Sequence, residues 1–223
     1  MFTLPLFIPS PASVGTSIWA MIQNGSLGIA TWYSFKRIAL SSCIAGVLSL
    51  VVAIAIQISS IVKTMVYPMI RLMRYLPATA FYPLLMMWTG IGEVMKVSFL
   101  TFVSFVYMMP SAVLAFEDTP RDMHEAGKAL GLNKTQILTR IVFPYCLPSI
   151  LKSFALCMGI GLTYLTVAEE TNAIYGLGFM VNNASSRGRT EVVFAAIIVL
   201  ILFGVLIDHI SDKLIQKIFK WRG

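Results

Sequence analysis

Charged residues in this chain come in groups, and between the groups lie apolar runs close to the ~20 residues that a helix needs to cross a bilayer. A charge at the bilayer centre costs at least about 2.5 kcal/mol, so these gaps predict spans better than helix propensity does. Arg37 to Lys63 encloses a run beginning IALSSCIAGVLSLVVAIAIQ, Arg74 to Glu93 encloses YLPATAFYPLLMMWTGIG, and Lys96 to Glu117 encloses VSFLTFVSFVYMMPSAVLAF. Lys152 to Glu169 and Glu191 to Asp208 bound two shorter runs, which snorkelling ends and apolar flanks such as Leu147 to Leu151 extend. The expectation is an all-α polytopic membrane protein with five spanning helices, at about 38–61, 68–91, 96–116, 148–169 and 190–210.

The first 36 residues carry no charge before Lys36, but Pro5, Pro9, Pro11 and the run QNGS argue against a span there. They predict an interfacial segment over 1–36, with TSIWAMIQ as an amphipathic helix, a turn at Asn24 and Gly25, and a short lead into the first span; a frayed terminus fits the pattern equally. Residues 37–223 then form one transmembrane domain, interrupted by a polar stretch at 117–147.

Composition narrows the class. With 57% hydrophobic and only 12% charged residues in 223, the chain cannot cover a soluble globule of its size. The net charge of +7 follows from loops rather than from a nucleic-acid surface. With the polar stretch placed inside, twelve of the seventeen Lys and Arg face the cytoplasm, which puts the N-terminus outside and the C-terminus inside. Cys43, Cys146 and Cys157 lack metal-ligand spacing and lie in apolar segments, as small hydrophobes do. His124 and His209 have no partner at metal spacing either.

The polar stretch has helix signals of its own. Thr119 can cap a helix with Pro120 at its first position and Asp122 in its first turn, and Gly131 supplies a stop. Asn133 caps a second short helix carrying Ile137, Leu138, Ile141 and Val142, which Pro144 should end. A simple connection needs only a few residues, so a helix, turn and helix of this length predicts a docking element.

Here the residues carry a resemblance. Glu125, Ala126 and Gly127, three residues, Gly131, nine residues, then Ile141, Val142, Phe143 and Pro144 resemble the EAA loop of ABC importer permeases, which runs E-A-A, three residues, G, nine residues, I-x-L-P. Gly127 replaces the second Ala and Phe143 the Leu, while the spacing is kept. IPSPASV, RYLPATAFYPLLMMWTGIGEVMK, AEETNAIYGLGFMV and the terminal Trp221 and Arg222 are similar to landmarks of the nitrate, sulfonate, taurine and bicarbonate group. Those permeases usually have six spans, one of them ahead of the IPSP segment, where this chain begins.

The resemblance implies a type I ABC importer permease fold, not an enzyme, in a bacterial-type inner membrane. It implies two ABC ATPase subunits, a second permease copy, an external substrate-binding protein and surrounding lipid as partners, and no nucleic acid. The loop's first helix would be the coupling helix seated on the ATPase, through Glu125, Ala126, Gly127, Gly131, Ile141, Phe143 and Pro144. No GxxxxGKS/T loop is present, so ATP and Mg would bind the partner and this chain would hold no cofactor and no metal.

Other candidates carry two readings each. Glu169 and Glu170, with Asn172 beyond them, either gate a solute or sit in a water-facing turn. Tyr82 and Met86 either line a route or pack against neighbours, in a segment that Pro77 and Pro83 would kink. By resemblance, Gly176, Gly178, Arg187 and Arg189 belong to an outer segment that contacts the binding protein, where the two arginines would favour an anionic solute or anchor headgroups. A secondary transporter or channel using Glu169 and Glu170 for ion coupling is the competing class; it would favour an inverted repeat, and none is evident in the sequence.

Overall fold

The structure, a computed structural model, describes residues 8–73 and 75–220; Pro5, Arg74, Trp221 and Arg222, which entered the sequence reading, lie outside that description. Every regular element described is helical. Helix α1 (Pro11–Gln23) starts where Ser10 caps it, its hydroxyl accepting from the Ser13 N–H, with proline at the first helical position. It ends at Asn24, and Gly25 turns the chain at φ 72°.

Helix α2 (Ser26–Ile58) runs unbroken for 33 residues, about 50 Å at 1.5 Å per residue. The helix expected from about 38 therefore begins well ahead of Arg37, at Ser26, so residues 26–36, expected within an interfacial segment, are continuous with it. Arg37 is no boundary because carboxylates within the protein neutralise it. Along α2 a buried line of small residues, Ala30, Ser34, Ser41, Ala45, Ser49 and Ala53, recurs at steps of four and seven. Small side chains let helices approach closely. Helix α5 (Glu93–Glu117) packs along this line, and at Gly46 a Cβ would lie 3.2 Å from the Phe154 ring.

The span expected as one helix over 68–91 is instead broken. Helix α3 (Ser60–Met73) is followed by a 3-10 turn (Ala78–Phe81) and the short helix α4 (Tyr82–Thr89). Pro77 precedes the 3-10 turn and Pro83 stands in the first turn of α4, both positions that cannot continue a helix from behind. The pieces nevertheless climb the length of α5. Lys63 and Tyr67 reach Glu117 at one end, while Phe81 packs on Phe102 and Tyr82 on Phe99 towards the other. Among the described residues four helices are long and apolar enough to cross a membrane, Ser26–Ile58, Glu93–Glu117, Lys134–Ala168 and Thr190–Ile218; the broken pair runs beside α5 without forming such a helix.

Helix α6 (Arg121–Ala129) follows α5, and α7 (Lys134–Ala168) restarts after Gly131. The second loop helix does not stop at Pro144 as expected. A π turn at Leu138–Val142 widens the helix just before Phe143 and Pro144, where a proline ring would otherwise meet the preceding turn, and the chain continues into the membrane. Helix α8 (Leu177–Ser186) lies across the far end, and α9 (Thr190–Ile218) closes the bundle. Two buried clusters hold it: Ile56, Met109, Phe116, Val142 and Cys146 near α6, and Ile38, Phe99, Leu100, Leu165 and Leu177 near α8. Ile201, Leu202 and Val205 on α9 point outward, as a lipid-facing helix requires.

Candidate functional site

Two sites stand at opposite ends of the bundle. At the first, α6 and the start of α7 fold against each other. Gly131 adopts φ 73°, a left-handed turn that other residues enter only with strain, and the Leu132 N–H donates back to the Gly127 carbonyl at 3.1 Å. Asn133 then caps α7 in a reciprocal box, its side chain accepting from the Gln136 N–H at 2.8 Å while Gln136 Oε1 accepts from the Asn133 N–H at 2.9 Å. The cap expected from Thr119 is not made. Pro120 occupies the N-cap position, and Thr119 is buried with its hydroxyl 3.1 Å from Cys146 Sγ, joining α5 to α7.

Gly127 is buried against α7. A Cβ there would sit 2.8 Å from Ile137 Cγ1 and 2.9 Å from Ile141 Cδ1, so its missing side chain serves the fit of the two loop helices to each other. Glu125 and Ala126 face outward, Ile141 and Phe143 are half-buried, and Pro144 is exposed. Lys63 and Tyr67 of α3 both hold Glu117 and tie the root of this loop to the bundle. A crevice of about 490 Å³ between α6, α7 and the end of α2 is lined by Gln57, His124, Lys128 and Lys134.

The second site is a buried ion-pair network. Arg37 places Nε and Nη2 on the two oxygens of Glu93, each at 2.7 Å, and Nη1 on Glu169 Oε1 at 2.5 Å and the Tyr175 carbonyl at 2.8 Å. Glu169 is wholly buried, and it also accepts from the Ser34 hydroxyl at 2.9 Å and from the Gly178 N–H at 2.8 Å. Its carboxylate therefore rests on the first N–H groups of α8, where a helix favours negative charge. Lys96, also buried, donates to Glu93 and to the carbonyl of Asn172, which itself stands at φ 51°. Ser34 joins both halves by accepting from the Leu177 N–H at 2.8 Å.

Two glycines fit this clasp closely. A Cβ on Gly176 would lie 2.1 Å from Glu169 Oε2, and one on Gly178 would lie 2.7 Å from the Leu165 carbonyl oxygen. Of the remaining candidates, Tyr82 is buried edge-on to Phe99, Met86 is half-buried, and Glu170 and Asn172 are exposed. Arg187 and Arg189 are exposed beside a crevice of about 240 Å³ between α8 and the α1–α2 turn, with Arg189 3.7 Å from Glu191. Glu169 and Glu170 thus part company: the first is locked inside the clasp, and the second faces outward.

Arg37, Glu93 and Lys96 read in the sequence as span ends, being charges that flank apolar runs, and Ser34 carries no signal of its own. The available signal was Glu93 and Lys96 three residues apart, with Arg37 and Glu169 predicted at the same end of the bundle.

The family model for the binding-protein-dependent transport system inner membrane component matches residues 42–220. The chain is similar to the taurine transport system permease protein TauC of Escherichia coli (strain K12), 30% identical over 98% of this chain and 82% of that one. It is 27% identical to the putative aliphatic sulfonates transport permease protein SsuC of Bacillus subtilis (strain 168), over 97% and 78%. Among solved structures, an inward-facing MetNI methionine ABC transporter superposes with a TM-score of 0.76 at 17% identity, over 90% of this chain and 96% of that one. An amino acid ABC transporter with histidines superposes at 0.70 and 18% identity, covering 92% and 98%.

Proposed function

This chain belongs to the family of binding-protein-dependent transport system inner membrane components, and on that premise we propose that it passes a small solute while coupling to a separate ATPase through residues 121–142. It is a multi-pass inner-membrane permease subunit of an ABC importer. The partners are two ATPase copies carrying ATP and Mg, a second permease copy and an external solute-binding protein. The loop and the C-terminus then face the cytoplasm, and α8 faces outward. Relatives named for taurine and aliphatic sulfonates favour a small sulfonate-like anion as the solute.

The observation that carries the coupling reading is the closed helix pair. Gly127 lets α6 lie flat on Ile137 and Ile141, Gly131 turns the chain, and Glu125 and Ala126 are left on the exposed face that would meet the ATPase. Copurification with the ATPase tests it. Glu125→Lys and Gly127→Val are each expected to lose the complex and uptake while the chain remains in the membrane. For Gly127→Val the cause is overpacking against Ile137, at about 1–3 kcal/mol. A complex of undiminished strength from both variants would overturn the reading.

At the opposite end, the exposed Arg187 and Arg189 are the groups that would meet the loaded binding protein. Changing both to Gln is expected to raise the binding-protein concentration needed for half-maximal stimulation of ATP hydrolysis by about 3- to 30-fold, the range for losing one or two rim ion pairs. An unchanged titration would remove them from that interface.

A further inference from the structure

Hydroxyl groups on a spanning helix are inexpensive when they close on their own backbone. Several of those on α5 and α7 do so: Ser111 donates to the Tyr107 carbonyl at 3.0 Å and Thr163 to the Ile160 carbonyl at 2.7 Å, whereas Thr101 and Ser104 are sealed in the interior without a partner among the described residues. Tyr107 and Tyr164 cannot, because a tyrosine ring carries its hydroxyl beyond reach of its own turn. Their hydroxyls instead meet each other at 3.3 Å, partway along both helices. Only one of the two protons can occupy that contact. The other has no acceptor among the described residues, and Tyr107 remains 38% exposed.

A spare hydroxyl proton facing hydrocarbon is penalised, whereas one facing water or a solute is not. The outward face of α9 shows what a lipid surface looks like in this protein: Ile201, Leu202 and Val205, with no polar atom to satisfy. The surface around Tyr107 differs. One turn along α5 from Tyr107 is Ser111, which opens on a crevice of about 450 Å³ lined also by Tyr67 and Glu117. A track of polar groups thus runs from Tyr164 through Tyr107 and Ser111 to Glu117 at the loop end, interspersed with Ile70, Pro110, Val113 and Leu114.

We propose that this track is the wet wall of the solute's route, with the Tyr107–Tyr164 pair presenting the donor that the solute meets inside the membrane. The inference rests on the permease reading and deepens it by naming the residues and the ligand chemistry: a small solute with an oxyanion end, accepting from neutral hydroxyls. Such donors bind an oxyanion without holding it as a buried cation would. A passage has this requirement, since the solute must be able to leave.

The test uses the complex with its ATPase and binding protein in proteoliposomes. In a Cys43→Ser background, which removes the exposed native thiol, Tyr107→Cys is compared with Val205→Cys for reaction with a charged, membrane-impermeant thiol reagent. We expect Tyr107→Cys to react at least about 10-fold faster than Val205→Cys, and more slowly while the solute is being transported. The double variant Tyr107→Phe/Tyr164→Phe should lower uptake about 10-fold, as loss of a hydrogen bond to a charged group predicts, with ATP hydrolysis retained. Tyr107→Cys reacting no faster than Val205→Cys would overturn the inference, as would wild-type uptake by the double Phe variant. So would disulfide formation between two copies through Tyr107→Cys without labelling, which would assign the face to a permease–permease contact. Failure with ATP hydrolysis intact removes this inference alone; failure of any ATPase complex to form removes the permease reading with it.

Discussion

Replacing Arg37 with methionine will lower the stability of the folded protein by about 3–5 kcal/mol, the cost of leaving a buried charge without its partner. Glu169 has no exposed surface and Arg37 has 4%. With Arg37 gone, the Glu169 carboxylate keeps the Ser34 hydroxyl and the N–H groups of α8 but no counter-charge. Glu93 suffers less, being 59% exposed and still paired with Lys96. Thermal unfolding in detergent, followed by loss of the monodisperse peak on size-exclusion chromatography, reads the effect. The double variant Arg37→Met/Glu169→Leu should regain at least half of the loss, because it strands no charge. A single variant as stable as the wild type would falsify the view that this network holds α2, α5, α7 and α8 together.

Gly178→Ala is the second substitution with a large expected effect, and its cause is steric. The new methyl would lie 2.7 Å from the Leu165 carbonyl oxygen and 2.8 Å from the Thr166 Cα, both backbone atoms that no rotamer change can move. To admit it, α8 must lift off α7, which breaks the Gly178 N–H bond to Glu169 at 2.8 Å. Overpacking at about 1–3 kcal/mol and loss of a hydrogen bond to a charged group at about 1.5–3 kcal/mol add to a cost of about 2.5–6 kcal/mol. Gly28→Ala is the contrasting variant. Gly28 lies within α2 with nothing within 4 Å of its Cβ position, so alanine there should be neutral or stabilising by up to about 1 kcal/mol. The same thermal-unfolding assay that finds Gly178→Ala destabilised should find Gly28→Ala at or above wild-type stability; equal stability of both would show that α8 does not sit as closely on α7 as the structure has it.

The loop at 117–147 was the most legible part of the chain. Gly131 and Asn133 act through local backbone geometry, one as a left-handed turn and one as a cap, and local geometry is written in neighbouring residues. Thr119 and Pro144 misled for the opposite reason. Thr119 had a cap signal but found a tertiary partner in Cys146, and the stop expected at Pro144 was overridden by a π turn upstream. Gly127, open to reading as a surface for another protein, faces Ile137 and Ile141 of its own chain. The clasp was barely legible, because Arg37, Glu93 and Glu169 stand 56 and 132 residues apart in their pairings.

What the amino-acid sequence determined alone was everything set by solvent and by short range: an all-helical membrane chain, the approximate apolar runs, the loop with its turn and cap, and the motif spacing that marks the family. Hydrophobicity and backbone conformation act residue by residue, so they survive being read in one dimension. Only the tertiary structure decided whether each charge ends a helix or continues it. Arg37 and Lys96 stay inside spans because opposite charges and carbonyls from distant segments meet them there, which removes the penalty that made them look like boundaries. It also decided that the apolar run expected as one helix over 68–91 is broken at Pro77 and Pro83, and which hydroxyls close on their own helix and which, like Tyr107 and Tyr164, are left to face one another.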